Sequence, residues 1–510
     1  MNRGIIFRLP VFIFLLVSCA PRVIERLPAN RLGRYVHQMV LDAEQSMADW
    51  GIYARDLETG KTLIDFNGDK LFLPASNTKL YTTAAALKLL GSDFRYTTVV
   101  MATGPVRDNV LEGDLVVVGG GDPTWSARFY EDDPTYVFRG WADSLLAMGI
   151  RVITGDIIGV DAFFDDTPLG SGWVWDNEQY YTSAQIAGLS FNENCLDFTI
   201  EPGRVGEAPT IIPNPVTSYA VIENNLVTLD TLALLDSLGM LDALGLADSL
   251  AYLDTLVIPD TIEVPDFDWD FDRPRGTNRV ILDGIFSVYD TVETGASVED
   301  PVAYTATVLK ETLVGAGIEV RGGIQSHSLY ADGQRSELPE GDTLFIFQSP
   351  PLEDIIYYLN KDSQNYMAET LLRTIGTLAG DGGSARKGRR LARLAWAEMG
   401  VDTNTTLLTD GSGMSRYNKV TPRNTVNLLA AMRPDTSFVR SLPIAGVDGT
   451  LENRMEGTAA EGQVFAKTGS LSHVRTLSGY AINRKGHWIA FSIMVNDYMT
   501  PSREIRERFA

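Results

Sequence analysis

The pattern of apolar residues predicts an α+β fold, with helices packed on an antiparallel sheet and a long β-rich stretch interrupting them. Three observations predict it. Alternating runs at 50–55 and 62–66, joined by a Gly-containing turn, read as a hairpin near the N-terminus, and runs at 476–482 and 487–495 read as another near the C-terminus. Helical periodicity lies between the hairpins, at 76–90, 352–378, 385–399 and 423–432. Residues 97–345 differ in texture, with short strand-like runs such as 114–118, 280–282 and 343–347 set between turn signals. Hairpins from opposite ends of the chain suggest one sheet closed by both termini, with the helices against it.

The chain has 510 residues, enough for two or three domains, and a net charge of −23. That charge excludes a nucleic-acid binder, which needs a basic face. Arg3 and Arg8 precede an apolar run at 9–17, too short to span a bilayer and suited to a signal-peptide core. It ends in Leu16-Val17-Ser18-Cys19, which resembles a bacterial lipobox. The expectation is a signal at 1–18, a lipid anchor on Cys19, and a tether at 19–35 leading to a helix around 35–47. A plain signal peptide is the alternative. Either way the mature chain works outside the cytoplasm, in the periplasm of the cell envelope, and the anchor would hold it to a membrane. Cys195 is the sole other cysteine, so it reads as a small buried apolar residue rather than half of a disulfide framework.

The chemistry is concentrated in three short motifs. Ser76 and Lys79 are three residues apart at the start of an apolar helical run that stops at Gly91, so they share one helix face. A serine hydroxyl needs a base, and a lysine can serve if burial and the positive helix end lower its pKa. A Ser-x-x-Lys alone is common by chance. Here Ser363-Gln364-Asn365 follows it ahead of a helix, and Lys467-Thr468-Gly469-Ser470 comes beside the C-terminal hairpin. In that order Ser76 attacks a carbonyl and Lys79 takes its proton. Ser363 and Asn365 relay protons and hold an amide, while Lys467 and Thr468 bind a carboxylate. Gly469 lets a substrate backbone approach the strand edge, and the backbone N–H groups of Ser76 and Ser470 supply an oxyanion hole.

Other features point away from competing chemistries. His37, His327, His473 and His487 are scattered without metal-ligand spacing, so no metal or cofactor is expected. No Gly-x-Ser-x-Gly elbow occurs, and Gly119-Gly120-Gly121-Asp122 reads as a turn rather than a phosphate loop. Between 226 and 274 aspartate recurs every six residues and leucine about every three, a spacing that gives neither helix nor strand one clean apolar face. That run reads as a loosely ordered acidic insert without a catalytic role.

Together the motifs resemble the class C low-molecular-mass penicillin-binding proteins, the D-alanyl-D-alanine carboxypeptidase/endopeptidases of serine peptidase family S13. Further phrases similar to that family are Gly119 to Thr124, Gly172-Trp-Val-Trp175, Asn192-Glu-Asn194, Ser349-Pro-Pro-Leu352, Met367-Ala-Glu369, Asp410 to Ser415 and Leu442 to Thr450. The resemblance implies a serine β-lactamase/D,D-peptidase-like domain from 36–96 plus 346–510. β-rich domains at 97–345 would be inserted between Ser-x-x-Lys and Ser-x-Asn. It implies catalytic Ser76, Lys79, Ser363, Asn365 and Lys467, and substrate binding by Thr468, Gly469, Ser470 and Arg416. The substrates would be peptidoglycan stem peptides, with β-lactams as inhibitors. Gln364 stands where the family often has Asp, the acidic position after the tryptophans falls among Asp176-Asn177-Glu178, and Ser472 replaces a glutamine of some relatives. A β-lactamase or esterase on the same scaffold, and a non-catalytic wall-binding lipoprotein, are the alternative readings.

Overall fold

The computed structural model describes residues 31–41, 48–231, 233, 268–330, 337–380, 382–500 and 505–506. The signal at 1–18 and Cys19 lie outside them. Of the helix expected around 35–47, the described residues show Arg31–Leu41, which begins inside the stretch read as tether.

Both terminal hairpins join one antiparallel sheet, ordered Val464–Leu471, Val474–Ile482, Trp488–Asn496, Asp49–Asp56 and Thr62–Phe66. The chain ends meet where Trp50 pairs with Val495 and Ile52 with Ile493. Period-2 alternation then sorts the side chains. Trp50, Ile52, Ala54, Leu477 and Val495 fall into a core that also takes Val36 of the first helix. Tyr53, Tyr480, Ala490 and Met494 face the other way, onto the helices.

Six helices share the core on that second face among the described residues: Thr78–Leu90, Leu352–Lys361, Asn365–Thr377, Ala385–Glu398, Pro422–Met432 and the short Thr436–Ser441. Thr78–Leu90 is buried along its first ten residues, as expected of a helix without a polar face. Periodicity alone merges 352–378 into one helix; the structure breaks it in two. Ser363 has φ 62°, and a left-handed residue cannot continue a right-handed helix.

The middle of the chain contains a mixed five-stranded sheet, ordered Ile324–Ser328, Ile157–Asp161, Leu115–Gly119, Thr97–Ala102 and Asp342–Gln348. Helices Tyr136–Ala147 and Pro301–Gly315 share a core with it. No helix is expected from the sequence reading of this β-rich stretch, although Phe138, Trp141, Ala142 and Leu145 follow helical spacing and Asp300-Pro301 is a cap followed by a first-turn proline. A small four-stranded sheet, ordered Glu319–Val320, Val152–Ile153, Val110–Leu111 and Val106–Arg107, and two three-stranded sheets complete the described part of the stretch. Thr210–Asn214, Cys195–Glu201 and Val292–Ser297 form one, and Val221–Leu229, Arg279–Ser287 and Trp269–Asp272 the other. Phe198, Ile200, Leu226, Phe271 and Leu282 give the two sheets a common core. The first and last residues of the Asp/Leu-rich run at 226–274 therefore lie in strands, while 232 and 234–267 fall outside the described residues. Cys195 is buried and unpaired, as expected.

Candidate active site

Ser76 sits in a tight 3-10 turn, Ala75–Asn77, rather than in the first α-helical turn, and Thr78–Leu90 follows directly. Residues three apart are eclipsed on such a turn, so Lys79 still faces Ser76. The segment leading in is stapled to the sheet. Leu73 N donates to Asn496 Oδ1 at 2.8 Å, and Thr476 Oγ1 donates to the Pro74 carbonyl at 2.9 Å. Ala75 has φ 45°, a strained value for a residue with a side chain.

The second and third motifs close on this turn. Asn77 Nδ2 donates to the Lys467 carbonyl at 2.8 Å, which locks the Val464–Leu471 edge strand beside the serine. A Cβ on Gly469 would lie 2.2 Å from Thr476 Oγ1, 2.9 Å from the Pro74 carbonyl and 3.0 Å from Ser76 N. Only glycine lets the strand come so near. From the other side, Lys79 Nζ reaches Asn365 Oδ1 at 2.6 Å, and Asn365 Nδ2 donates to the Thr182 carbonyl at 2.9 Å.

Lys79 is fully buried and donates to three acceptors: Ser76 Oγ at 2.9 Å, Asn365 Oδ1 and the Ser412 carbonyl at 2.7 Å. Burial brings its pKa from 10.5 down to about 7, against the opposing pull of Asp410 and Glu369. A buried ammonium is therefore poised to surrender its proton near neutral pH, with a hydroxyl in contact. Lys467, also buried, is held well below its ordinary value by desolvation and then by repulsion from Lys79.

The remaining expected residues are placed as follows. Ser363 lies in the turn just before Asn365. Thr468 Oγ1 bonds Thr450 Oγ1 at 2.8 Å, and Ser470 is exposed on the same edge strand. Arg416 is exposed and donates to the Ser472 carbonyl at 3.3 Å, past the end of that strand rather than at the Ser76–Lys79 pair. Asp176 is exposed, whereas Glu178 pairs with Arg275 at 2.6 Å. His473 Nδ1 contacts the Tyr498 carbonyl at 2.9 Å, and His487 Nδ1 contacts Asp56 at 2.9 Å.

A buried carboxylate layer behind Lys79 went unassigned in the sequence reading. Glu369 Oε1 accepts from Gly411 N and Ser412 N, both at 2.8 Å, and Glu369 Oε2 faces Arg373 at 3.5 Å. Asp410 accepts from Gly413 N at 3.0 Å, Ser415 N at 2.6 Å, Asn418 Nδ2 at 2.6 Å and the Trp173 indole at 3.0 Å. Together they shape the loop that aims the Ser412 carbonyl at Lys79. Burial, then repulsion by Asp410, raises the pKa of Glu369 above the usual carboxylate range. Glu369 and Arg373, four apart within a helix of apolar periodicity, are the signal that could have found it, since a buried charge needs a partner.

The D-Ala-D-Ala carboxypeptidase 3 (S13) family model matches residues 32–233 and 255–509. The gap between those stretches falls inside the Asp/Leu-rich run. A D-alanyl-D-alanine carboxypeptidase of Actinomadura sp. is 33% identical over 517 residues, covering 97% of this chain and 86% of the relative. The D-alanyl-D-alanine carboxypeptidase DacB of Haemophilus influenzae is 25% identical over 478 residues, covering 90% and 88%. The crystal structure of penicillin binding protein 4 from that organism superposes with a TM-score of 0.73 at 23% identity, covering 93% of this chain and 95% of the other, so the fold is shared.

Proposed function

Because the chain belongs to the D-Ala-D-Ala carboxypeptidase 3 (S13) family and is a serine-type carboxypeptidase of that kind, we propose that it acts through an acyl-Ser76 intermediate on peptidoglycan stem peptides. The observation that carries the site assignment is the buried Lys79 amine, 2.9 Å from Ser76 Oγ and bonded to Asn365.

In this reading neutral Lys79 accepts the Ser76 proton as Oγ attacks the carbonyl of the penultimate D-Ala. The N–H groups of Ser76 and Ser470 stabilise the oxyanion. The C–N bond then breaks, and the proton that Lys79 took passes by way of Ser363 to the terminal D-Ala amine as it leaves. Water attacks the ester and restores Ser76. Lys467 and Thr468 hold the terminal carboxylate, with Arg416 at the rim of the cleft. The same steps apply to a D-Ala–diamino acid cross-link, which would add endopeptidase action. Cys19 as a diacylated N-terminus would keep the enzyme on a membrane, facing the wall in the periplasm. Retention of the chain in the soluble fraction when Cys19 is intact would remove the anchor from this account.

A β-lactam mimics the D-Ala-D-Ala end and should acylate the same hydroxyl; the H. influenzae protein has been crystallised with one. Mass spectrometry after incubation with benzylpenicillin tests the assignment. The adduct is expected on the peptide containing Ser76 and absent from Ser76→Ala. An adduct that survives in that variant overturns it.

A further inference from the structure

Two backbone features frame the site. The turn at 363–365 hangs between two helices on a left-handed serine, φ 62°. Asn192, Glu193 and Asn194 are three successive left-handed residues, with φ of 48°, 55° and 58°. Left-handed residues with side chains usually occur singly, because each costs ~1–2 kcal/mol, somewhat less for asparagine. Such a run persists only where its surroundings over-determine it. Asn194 Nδ2 donates to the Gln185 carbonyl at 2.7 Å and Ser190 Oγ at 3.0 Å. Asn192 Nδ2 donates to Asp197 Oδ2 at 2.8 Å and the Cys195 carbonyl at 3.2 Å.

This strained turn presents one carboxylate to the other. Glu193 Oε2 accepts from the Gln364 side-chain amide, and Glu193 Oε1 accepts from Arg128 Nε at 2.8 Å. Arg128 Nη1 in turn donates to Asp362. The residues on both sides of Ser363 are thus gripped by side chains from a distant part of the chain. The main-chain bond from Gln364 N to the Leu359 carbonyl, 2.9 Å, is local and ties the turn to no distant element. We propose that Glu193 and Arg128 are positioning residues, which hold the 363–365 turn so that Asn365 Oδ1 stays on the Lys79 amine.

The inference rests on Ser76 and Lys79 being nucleophile and base. It gives the long stretch between the first two motifs a task in the reaction, since the clamp reaches Asn365 from outside the helices that carry the motifs. Gln364 is the acceptor's partner by virtue of its amide; a carboxylate there would face Glu193 with like charge. Glu193, Arg128 and Gln364 also border a cavity of about 550 Å³, so water can fill the space left by a truncated side chain.

The test compares Glu193→Ala, Gln364→Glu and the exchanged pair Glu193→Gln/Gln364→Glu with the parent. Acylation by benzylpenicillin is timed and divided by the fraction of sites that a stoichiometric dose titrates. Each single variant is expected to react ~10- to 100-fold more slowly per titrated site, the scale of a misplaced reacting group. The exchanged pair, which restores the amide–carboxylate bond with its ends reversed, is expected to recover most of the loss. A purely structural role would lower the titrated fraction and leave the rate per site unchanged, which would overturn the proposal. So would an exchanged pair as slow as Gln364→Glu, and that comparison decides the matter if Glu193→Ala does not fold. Should the parent itself remain unacylated at Ser76, the fault lies with the reading of the site.

Discussion

In the proposed reaction, Lys79 concentrates the chemistry in one atom. Its amine has lost most of its affinity for a proton to desolvation, and the residual stabilisation comes from Glu369 and Asp410. The neutral form is the base, so acylation should rise with pH through about 7 and level off above it, as read from stopped-flow penicillin kinetics across pH. Glu369→Gln removes one of the charges that support the ammonium, which should move that rise to lower pH. A rise left in place would deny the carboxylate its electrostatic role. Lys79→Arg keeps the charge but cannot yield the proton, and should slow acylation by ~10²–10⁴-fold, the usual worth of a general base.

At the scale of elements, the motifs meet because backbone comes very close to backbone. A Cβ on Gly413 would lie 1.9 Å from the Ala75 carbonyl and 3.0 Å from Ser76 N, at a φ of 98°. Gly413→Ala should therefore cost ~1–3 kcal/mol by overpacking, and more from the backbone strain, with slowed acylation in the same protein. Urea melts paired with penicillin labelling would show the two losses together, and a variant stable yet slow would assign the glycine to the site alone. The helix that follows Ser76 was visible as a periodic segment, whereas the strand carrying Lys467 was read only as a motif beside the C-terminal hairpin. The break at Ser363 was not, because Leu352 to Leu378 keeps its apolar rhythm while the polar run from Asn360 to Asn365 interrupts it only briefly.

For the whole molecule, the Asp49–Asp56 strand joins the two chain ends in one sheet, and Trp50 is 1% exposed at that seam. Trp50→Ala should cost ~3–5 kcal/mol in equilibrium unfolding, as for other large-to-small core changes. The Asp/Leu-rich run is a different matter. The family match skips 234–254, and the strands that flank the run pair through Arg279–Ser287 rather than through it. Deleting 234–254 should leave the penicillin acylation rate of the purified protein unchanged, and a fall would give the run a task in catalysis.

Sequence by itself determined the local quantities: the Ser76–Lys79 spacing that puts hydroxyl and amine on one face, the order of the motifs, and the alternation that makes two hairpins. These depend on the repeat of a helix or strand, which a chain carries in its own order. Only the tertiary structure decided that Lys79 is fully buried, that Glu369 and Asp410 stand behind it, and that Glu193 holds Gln364 from 171 residues away. Desolvation and long-range contact depend on which distant groups exclude water from a site. No spacing along the chain records that.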